Sequence, residues 1–203
     1  MESTLRDGAD TPGLKLIETM LWDGACVPRW PLHVARLTAG AVALGWAVPA
    51  LSVAGPAGQA ARLRLTLDCA GVVEVEVGAV PPALGQWRLG LAAERLFSGD
   101  PWLGVKSTRR AVYDRARAGL PAGLDELVFL NERGEVCDGT ITTLFFDRGA
   151  GVRTPPLRSG LLPGVLRAET GCPEEVLMAE DLPRVRLWVG NALRGMSGAV
   201  WVG

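Results

Sequence analysis

Of the 21 lysine and arginine residues, only Lys15 and Lys106 are lysines; elsewhere the chain meets its need for positive charge with arginine. A lysine kept against that bias can do what arginine cannot. An ammonium can lose its proton and attack a carbonyl, whereas a guanidinium stays protonated. Lys106 follows the apolar run Pro101-Trp102-Leu103-Gly104-Val105, and desolvation behind such a run favours the free, nucleophilic amine. Type and setting nominate Lys106 as a Schiff-base lysine. The competing reading is a charged residue that opens a solvated helix, since lysines mostly sit on surfaces.

Other chemistries find less support. His33 is the single histidine, and no serine or cysteine is identifiable as its nucleophilic partner, so a Ser-His-Asp arrangement is not indicated. Cys26, Cys69, Cys137 and Cys172 form no close pair. With one histidine they do not make a zinc site of the usual spacing. They read as buried free thiols of a reducing compartment.

The elements that must position Lys106 belong to a globular chain. Its 203 residues are 48% hydrophobic, with a formal net charge of -1. No basic block marks a nucleic-acid binder. No apolar run approaches the roughly 20 residues of a membrane span. Met1 to Asp7 has no apolar signal core, so a cytoplasmic protein without membrane or nucleic-acid partners is expected.

Residues 1–13 read as a loose polar segment. Leu14 to Val27 reads as a hairpin turning at Trp22-Asp23-Gly24. Pro31 to Trp46 has helical spacing with Gly45 near its end. Residues 48–60 are rich in Pro, Gly and Ala. The alternation of residues 61–68 and 72–80 predicts a second hairpin. Pro81-Pro82-Ala83-Leu84-Gly85 is the best linker. It divides a smaller subdomain, residues 1–80, from a larger one, residues 86–203, that carries Lys106. In the larger part, residues 86–97 read as extended, a helix follows Lys106 directly and runs to about Ala118, and strands are expected at residues 126–131, 142–147, 185–189 and 199–202. Gly160 to Arg167 reads as a glycine-bounded turn entering a helix. The pattern is α+β, two small subdomains with mixed sheets rather than regular βαβ units.

From about Leu14 to Val202 these motifs, in order, resemble the class IV pyridoxal-phosphate aminotransferase family, the fold type IV enzymes, which include aminodeoxychorismate lyase, branched-chain aminotransferase and D-amino acid aminotransferase. The resemblance rests on Ile17-Glu18-Thr19, on Leu32-His33-Val34-Ala35-Arg36-Leu37, on Lys106, on Asn131 to Thr140, on Thr154-Pro155-Pro156-Leu157 with Gly160 to Arg167, and on Gly190-Asn191-Ala192-Leu193-Arg194-Gly195. It implies a pyridoxal 5'-phosphate cofactor joined to Lys106. Arg36 would grip the phosphate, as a guanidinium fork suits a phosphate dianion. Gly164 and the amides of Val165 and Leu166 would hold the same phosphate at a helix start. Asp138, where the family usually has glutamate, would pair with the ring nitrogen. Asn191 and Ala192 would complete the phosphate and carboxylate pockets.

Thr19 resembles the threonine that the lyases carry where branched-chain aminotransferases carry glycine, and the resemblance implies that it relays a proton to departing pyruvate. Arg64, on the second hairpin, is a candidate for a substrate carboxylate, although strand alternation alone also explains it. The implied activity is 4-amino-4-deoxychorismate lyase, with a branched-chain or related aminotransferase as the alternative and a cofactor-binding protein of little turnover as a second one. A small amino substrate and a homodimer are the implied partners. Thr143 stands where asparagine is usual, and Tyr113 lies further along its helix than the family's active-site tyrosine.

Overall fold

A computed structural model describes residues 2–203. The described residues divide into two compact units, 2–82 with 104–109, and 83–103 with 110–203. The chain therefore passes between units three times. The segment Gly104–Arg109, which bears Lys106, packs with the first unit although the sequence on either side of it belongs to the second.

The first unit is a three-stranded antiparallel sheet with one long helix. Strand β1 (Leu16–Trp22) pairs with β2 (Ala61–Leu67), which pairs with β3 (Val73–Gly78). The β2–β3 hairpin follows the alternation of the sequence. Leu63, Leu65 and Leu67 lie inward with Leu16 and Met20, while Arg62, Arg64 and Thr66 take the other face. The expected hairpin across Asp23-Gly24 does not form. The Asp23 carboxylate instead accepts the amides of Ala25 (2.8 Å) and Cys26 (2.9 Å), closing an Asx-type turn. This leaves β1 free to pair with β2. The Pro- and Gly-rich segment after residue 48 is irregular but anchored, since the Trp22 indole donates to the Pro56 carbonyl at 2.9 Å.

The N-terminal segment is not wholly loose. Helix α1 (Glu2–Asp7) forms, and Leu5 and Ala9 are buried. Those two apolar side chains give it a packing face that the polar composition concealed. Helix α2 (Trp30–Leu44) ends at Gly45, whose φ of 75° is open to glycine at little cost.

The second unit is one six-stranded mixed sheet. Its strands are β4 (Trp87–Leu96), β5 (Glu126–Asn131), β6 (Val136–Gly139), β7 (Thr143–Asp147), β8 (Arg186–Asn191) and β9 (Gly195–Trp201), in the order β6-β5-β4-β9-β8-β7. Pairs β4·β5 and β4·β9 are parallel and the rest antiparallel. Helix α3 (Ala111–Ala118) precedes β5, and α4 (Val165–Thr170) follows the Pro163-Gly164 turn. All six residues of β5 are buried. Val128 and Leu130 face one apolar cluster with Leu144 and Phe146, and Leu127 and Phe129 face another with Ala116 and Leu161. A strand covered on both sides reads as an unbroken apolar run, as Leu127 to Leu130 do here.

Strands β6 and β7 lie at opposite ends of the hydrogen-bonding order, yet only residues 140–142 separate them. Six strands laid flat put the edge strands about 24 Å apart. Four peptide steps span at most about 15 Å. The sheet of this unit must therefore roll until its two edges meet, and the 140–142 segment is the closure. The amide of Gly139 donates to the Thr142 carbonyl at 2.8 Å, across the base of that closure.

The four cysteines are free, but Cys26 and Cys69 are exposed and only Cys137 is fully buried, which corrects the expectation of buried thiols throughout. Burial, with the charges of Asp138 and Glu135 beside it, pushes the Cys137 thiol up to about 12. No group of metal-binding side chains occurs among the described residues. None of the helices described is long and apolar enough to cross a membrane.

The turn between β5 and β6 is held by a charge network with a pH signature. The Glu135 carboxylate accepts from Arg133 at 2.8 and 3.0 Å, from the Ser159 hydroxyl at 2.7 Å and from the Asn131 side-chain amide at 2.9 Å. Arg133 first, then the Ser159 and Asn131 bonds, hold the Glu135 carboxyl at about 2 against the opposing effect of burial. A carboxylate depressed in the folded state contributes stability above its unfolded pKa of 4.5, and that stability is lost as pH falls from there toward about 2. Glu135→Gln is expected to lower Tm at neutral pH and to flatten the fall of Tm on acidification from about pH 5 to 3. Thermal melts across that range check it, and parallel curves for the two proteins would contradict it.

Candidate active site

Lys106 does not open a helix. Residues 106–108 run extended along the free edge of β1. The Ile17 amide donates to the Lys106 carbonyl at 2.9 Å, and the Thr108 amide donates to the Lys15 carbonyl at 2.8 Å. Leu16 and Ser107 form an antiparallel bridge. The helix expected at once after Lys106 begins at Ala111 instead. The reason lies outside the local sequence: an edge strand with unpaired backbone groups captures the segment, and Thr108 Oγ1 fixes it further by accepting from the Lys15 amide at 2.9 Å.

Register then decides which side chains share a face. Residues opposite each other in an antiparallel pair point to the same side. Ser107 is buried on the side of Leu16, so Lys106 falls on the side of Ile17 and Thr19. Thr19 lies directly opposite Arg64, and Leu21 opposite Arg62. Lys106, Thr19, Arg64 and Arg62 therefore occupy one face of one sheet. Arg62 was not nominated from sequence. Its Nε is buried without a hydrogen-bond partner, and a Cβ at Gly78, its register partner, would come within 2.9 Å of Nη2. Glycine at 78 makes room for that guanidinium. Lys15 shares the face but is engaged by Glu74, whose hydrogen bond raises its pKa.

Arg36 approaches β1 from the other side. It projects from α2 onto Glu18, donating from Nε at 2.8 Å and from Nη2 at 2.6 Å. His33 Nδ1 lies 2.5 Å from the same carboxylate. Glu18 is 2% exposed and His33 1% exposed. Burial pushes the Glu18 carboxyl up, but hydrogen bonds from His33 and Arg36, with the Arg36 charge, carry it below the ordinary value. Glu18 is a residue that the motifs alone do not assign. The signal was there: an acidic residue sits in a strand at a position whose neighbours two away, Leu16 and Met20, are core.

The second unit gathers its own nominated residues. Asp138, on β6, accepts the Leu162 amide at 3.1 Å. Gly164 immediately precedes α4, and a Cβ there would sit 2.7 Å from Thr143 Oγ1. Val165 and Leu166 occupy the first turn of α4, where main-chain amides lack a carbonyl one turn back. A Cβ at Gly190 would meet Leu166 Cδ2 at 2.5 Å, so α4 lies tight on β8. Asn191 donates to the Ile141 carbonyl at 3.1 Å and accepts the amides of Leu193 and Arg194 at 3.1 and 3.0 Å. Ala192, in the same turn, is buried. Asp138, Thr143, Gly164, Val165, Leu166 and Asn191 thus converge on the closure of the rolled sheet. Tyr113 packs edge-on against Phe129 at 5.0 Å, and burial raises its hydroxyl pKa.

The first unit presents a primary amine, Lys106, on one face of its sheet and a carboxylate-bound guanidinium, Arg36, on the other. The second unit presents a buried carboxylate, Asp138, near the start of α4. An amine, a guanidinium and a carboxylate are the groups that suit a carbonyl, a phosphate and a ring nitrogen respectively.

The comparisons agree in class. The Amino-transferase class IV family matches residues 15–200, and the chain belongs to that family of pyridoxal-phosphate-dependent enzymes. A protein provisionally named aminodeoxychorismate lyase from Schizosaccharomyces pombe is 31% identical over 166 residues, 75% of this chain and 71% of that one. A crystal structure of a provisionally assigned amino-acid aminotransferase from Mesorhizobium loti matches with a TM-score of 0.85 and 39% identity, covering 93% of this chain and 100% of the other. A hypothetical aminotransferase from Mycobacterium tuberculosis in its PLP-bound form matches with a TM-score of 0.78 over 98% of this chain and 84% of its own; at 20% identity it speaks for the fold alone.

Proposed function

We propose that this chain is a pyridoxal-phosphate-dependent 4-amino-4-deoxychorismate lyase, releasing pyruvate and leaving 4-aminobenzoate. The observation that carries the reading is the sheet face shared by Lys106, Thr19, Arg62 and Arg64. Both products carry a carboxylate, so the substrate carries two. A face with two arginines, Arg62 with a buried unpartnered Nε and Arg64 with Glu76 as its register partner, suits such a substrate better than the apolar side chain of a branched-chain amino acid.

The bound cofactor supplies a carbonyl carbon for the substrate amine and a ring that takes up an electron pair. The chain's residues do the rest. Lys106, displaced by the substrate amine, takes the proton from the carbon that bears it. Thr19 passes a proton toward the departing pyruvate as the carbon–oxygen bond breaks. Arg36, steadied by Glu18, and the main chain at Gly164, Val165 and Leu166 are assigned to the phosphate. Asp138 is assigned to the ring nitrogen, and Asn191 and Ala192 to the adjoining turn. Arg64 is assigned to a substrate carboxylate, with Arg62 beside it. A homodimer is part of the same reading, tested by light scattering of the purified protein.

The kinship with the Mesorhizobium loti protein favours a second reading, an amino-acid aminotransferase. The two separate in one assay. Incubation with 4-amino-4-deoxychorismate should yield pyruvate and 4-aminobenzoate in equal amounts, while an amino acid with 2-oxoglutarate should yield little glutamate. Steady glutamate formation would reverse the choice. Thr19→Val should cut pyruvate release by about a hundredfold or more and leave cofactor uptake within twofold. Unimpaired pyruvate release would remove Thr19 from the proton path.

A further inference from the structure

Glu126 is the most deeply enclosed charge of the second unit, 0% exposed at the first position of β5, and the reaction above does not use it. Its carboxylate accepts the Leu127 amide at 3.1 Å, the Thr140 amide at 3.0 Å, the Thr140 hydroxyl, the Ile141 amide at 3.2 Å and the Thr142 hydroxyl at 2.8 Å. Four of these five donors come from residues 140–142, the segment that joins the two edges of the rolled sheet. The carbonyls of that segment are held from outside, Thr140 by Arg110 Nη2 at 3.1 Å and Ile141 by Asn191 Nδ2 at 3.1 Å. Arg117 adds a charge 3.7 Å from the carboxylate. A Cβ at Gly139 would stand 2.7 Å from Glu126 Oε2 and 2.5 Å from Thr142 Oγ1. The carboxylate can seat itself against this backbone only because residue 139 is glycine.

We infer that Glu126 is a positioning residue for the cofactor site: by pinning the closure, it fixes Asp138 on one flank and the Thr143–Gly164 contact on the other. The reasoning is one of valence and distance. Asp138 lies one residue before Gly139, and Thr143 one residue after Thr142, so both are set by where residues 139–142 lie. Main-chain amides, which can only donate, face both oxygens, Leu127 and Thr140 on one and Ile141 on the other, so only a group that accepts on both oxygens satisfies the arrangement. Glutamine keeps the shape but turns one accepting oxygen into a donor. That amide would oppose either the Thr140 pair or the Ile141–Thr142 pair, and the closure must shift to relieve it. The displacement passes to Asp138 and to the amides that follow Gly164.

The inference rests on the cofactor assignment proposed above, and the test separates the two. Wild type, Glu126→Gln and Thr142→Val are titrated with pyridoxal 5'-phosphate. The readouts are the dissociation constant, the absorption maximum of the bound cofactor and the pH at which that band titrates, with Tm of the cofactor-free proteins alongside. Glu126→Gln is expected to weaken cofactor binding at least tenfold and to shift the titration of the band, which reports the ring-nitrogen partner. Thr142→Val, which removes one donor, should show the same changes at smaller size, and it serves alone if Glu126→Gln does not fold. Variants that fold, bind within twofold of wild type and keep its band and titration overturn the inference while leaving the cofactor assignment standing. A wild-type protein that takes up no cofactor overturns both.

Discussion

Lys106→Ala is expected to lose turnover by about a thousandfold or more, because the residue assigned both to hold the cofactor and to move the proton disappears together. The chain offers an internal control. Lys15 is the only other lysine, it lies on the same sheet face, and Glu74 keeps its ammonium protonated. Borohydride reduction of the cofactor-loaded protein should therefore place the adduct on the peptide containing Lys106 and leave the Lys15 peptide unmodified. An adduct on Lys15, or turnover within tenfold of wild type for Lys106→Ala, would remove Lys106 from the reaction.

The largest expected effect on stability belongs to Glu18→Ala. One buried carboxylate satisfies His33 at 2.5 Å and Arg36 at 2.6 and 2.8 Å. Removing it leaves a buried imidazole and a nearly buried guanidinium facing an apolar gap. Breaking such a group typically costs about 3–5 kcal/mol, which for a chain of this size is a fall of roughly 10 °C in Tm. The same carboxylate carries a pH dependence with a definite sign. Its folded pKa is depressed, so its contribution is present above about 4.5 and disappears as pH falls below that. Melting of wild type and Glu18→Ala at neutral and acidic pH checks both points. A Tm within about 2 °C of wild type at neutral pH would show that the triad adds nothing net.

Much of this was legible in the sequence, and what was not has identifiable causes. The β2–β3 hairpin could be read because strict alternation from Arg62 to Leu67 admits one period. Strand β5 could be read because four apolar residues in a row, Leu127 to Leu130, leave few alternatives. The candidate site residues were nominated as ordered motifs, and the register places two of them, Thr19 and Arg64, opposite each other. The failures that bear on the candidate site concern partners distant in sequence. Asp23-Gly24 has hairpin chemistry, but β1 found a better partner some 40 residues on, in β2. Lys106 looked like a helix start because α3 is near, while the edge of β1, about 90 residues earlier, holds it extended. Glu126 carries no signal of its own, because a buried acid declares itself only when its donors are assembled around it, whereas Glu18 is marked by its place between the core positions Leu16 and Met20. Arg62 has no signal of its own, because the space that Gly78 leaves for it arises only from the pairing of β2 with β3.

The path of the chain through the Lys106 segment has a practical outcome for anyone who would divide the protein. A fragment ending near Pro82 would hold a β1 with nothing along its outer edge and no reactive lysine. The complementary fragment would carry that lysine on a ribbon deprived of its backbone partners at Lys15 and Ile17. Neither piece could be assayed as an independent half-enzyme. Mixing the two in solution should recover cofactor uptake only where residues 106–108 from one piece dock onto β1 of the other.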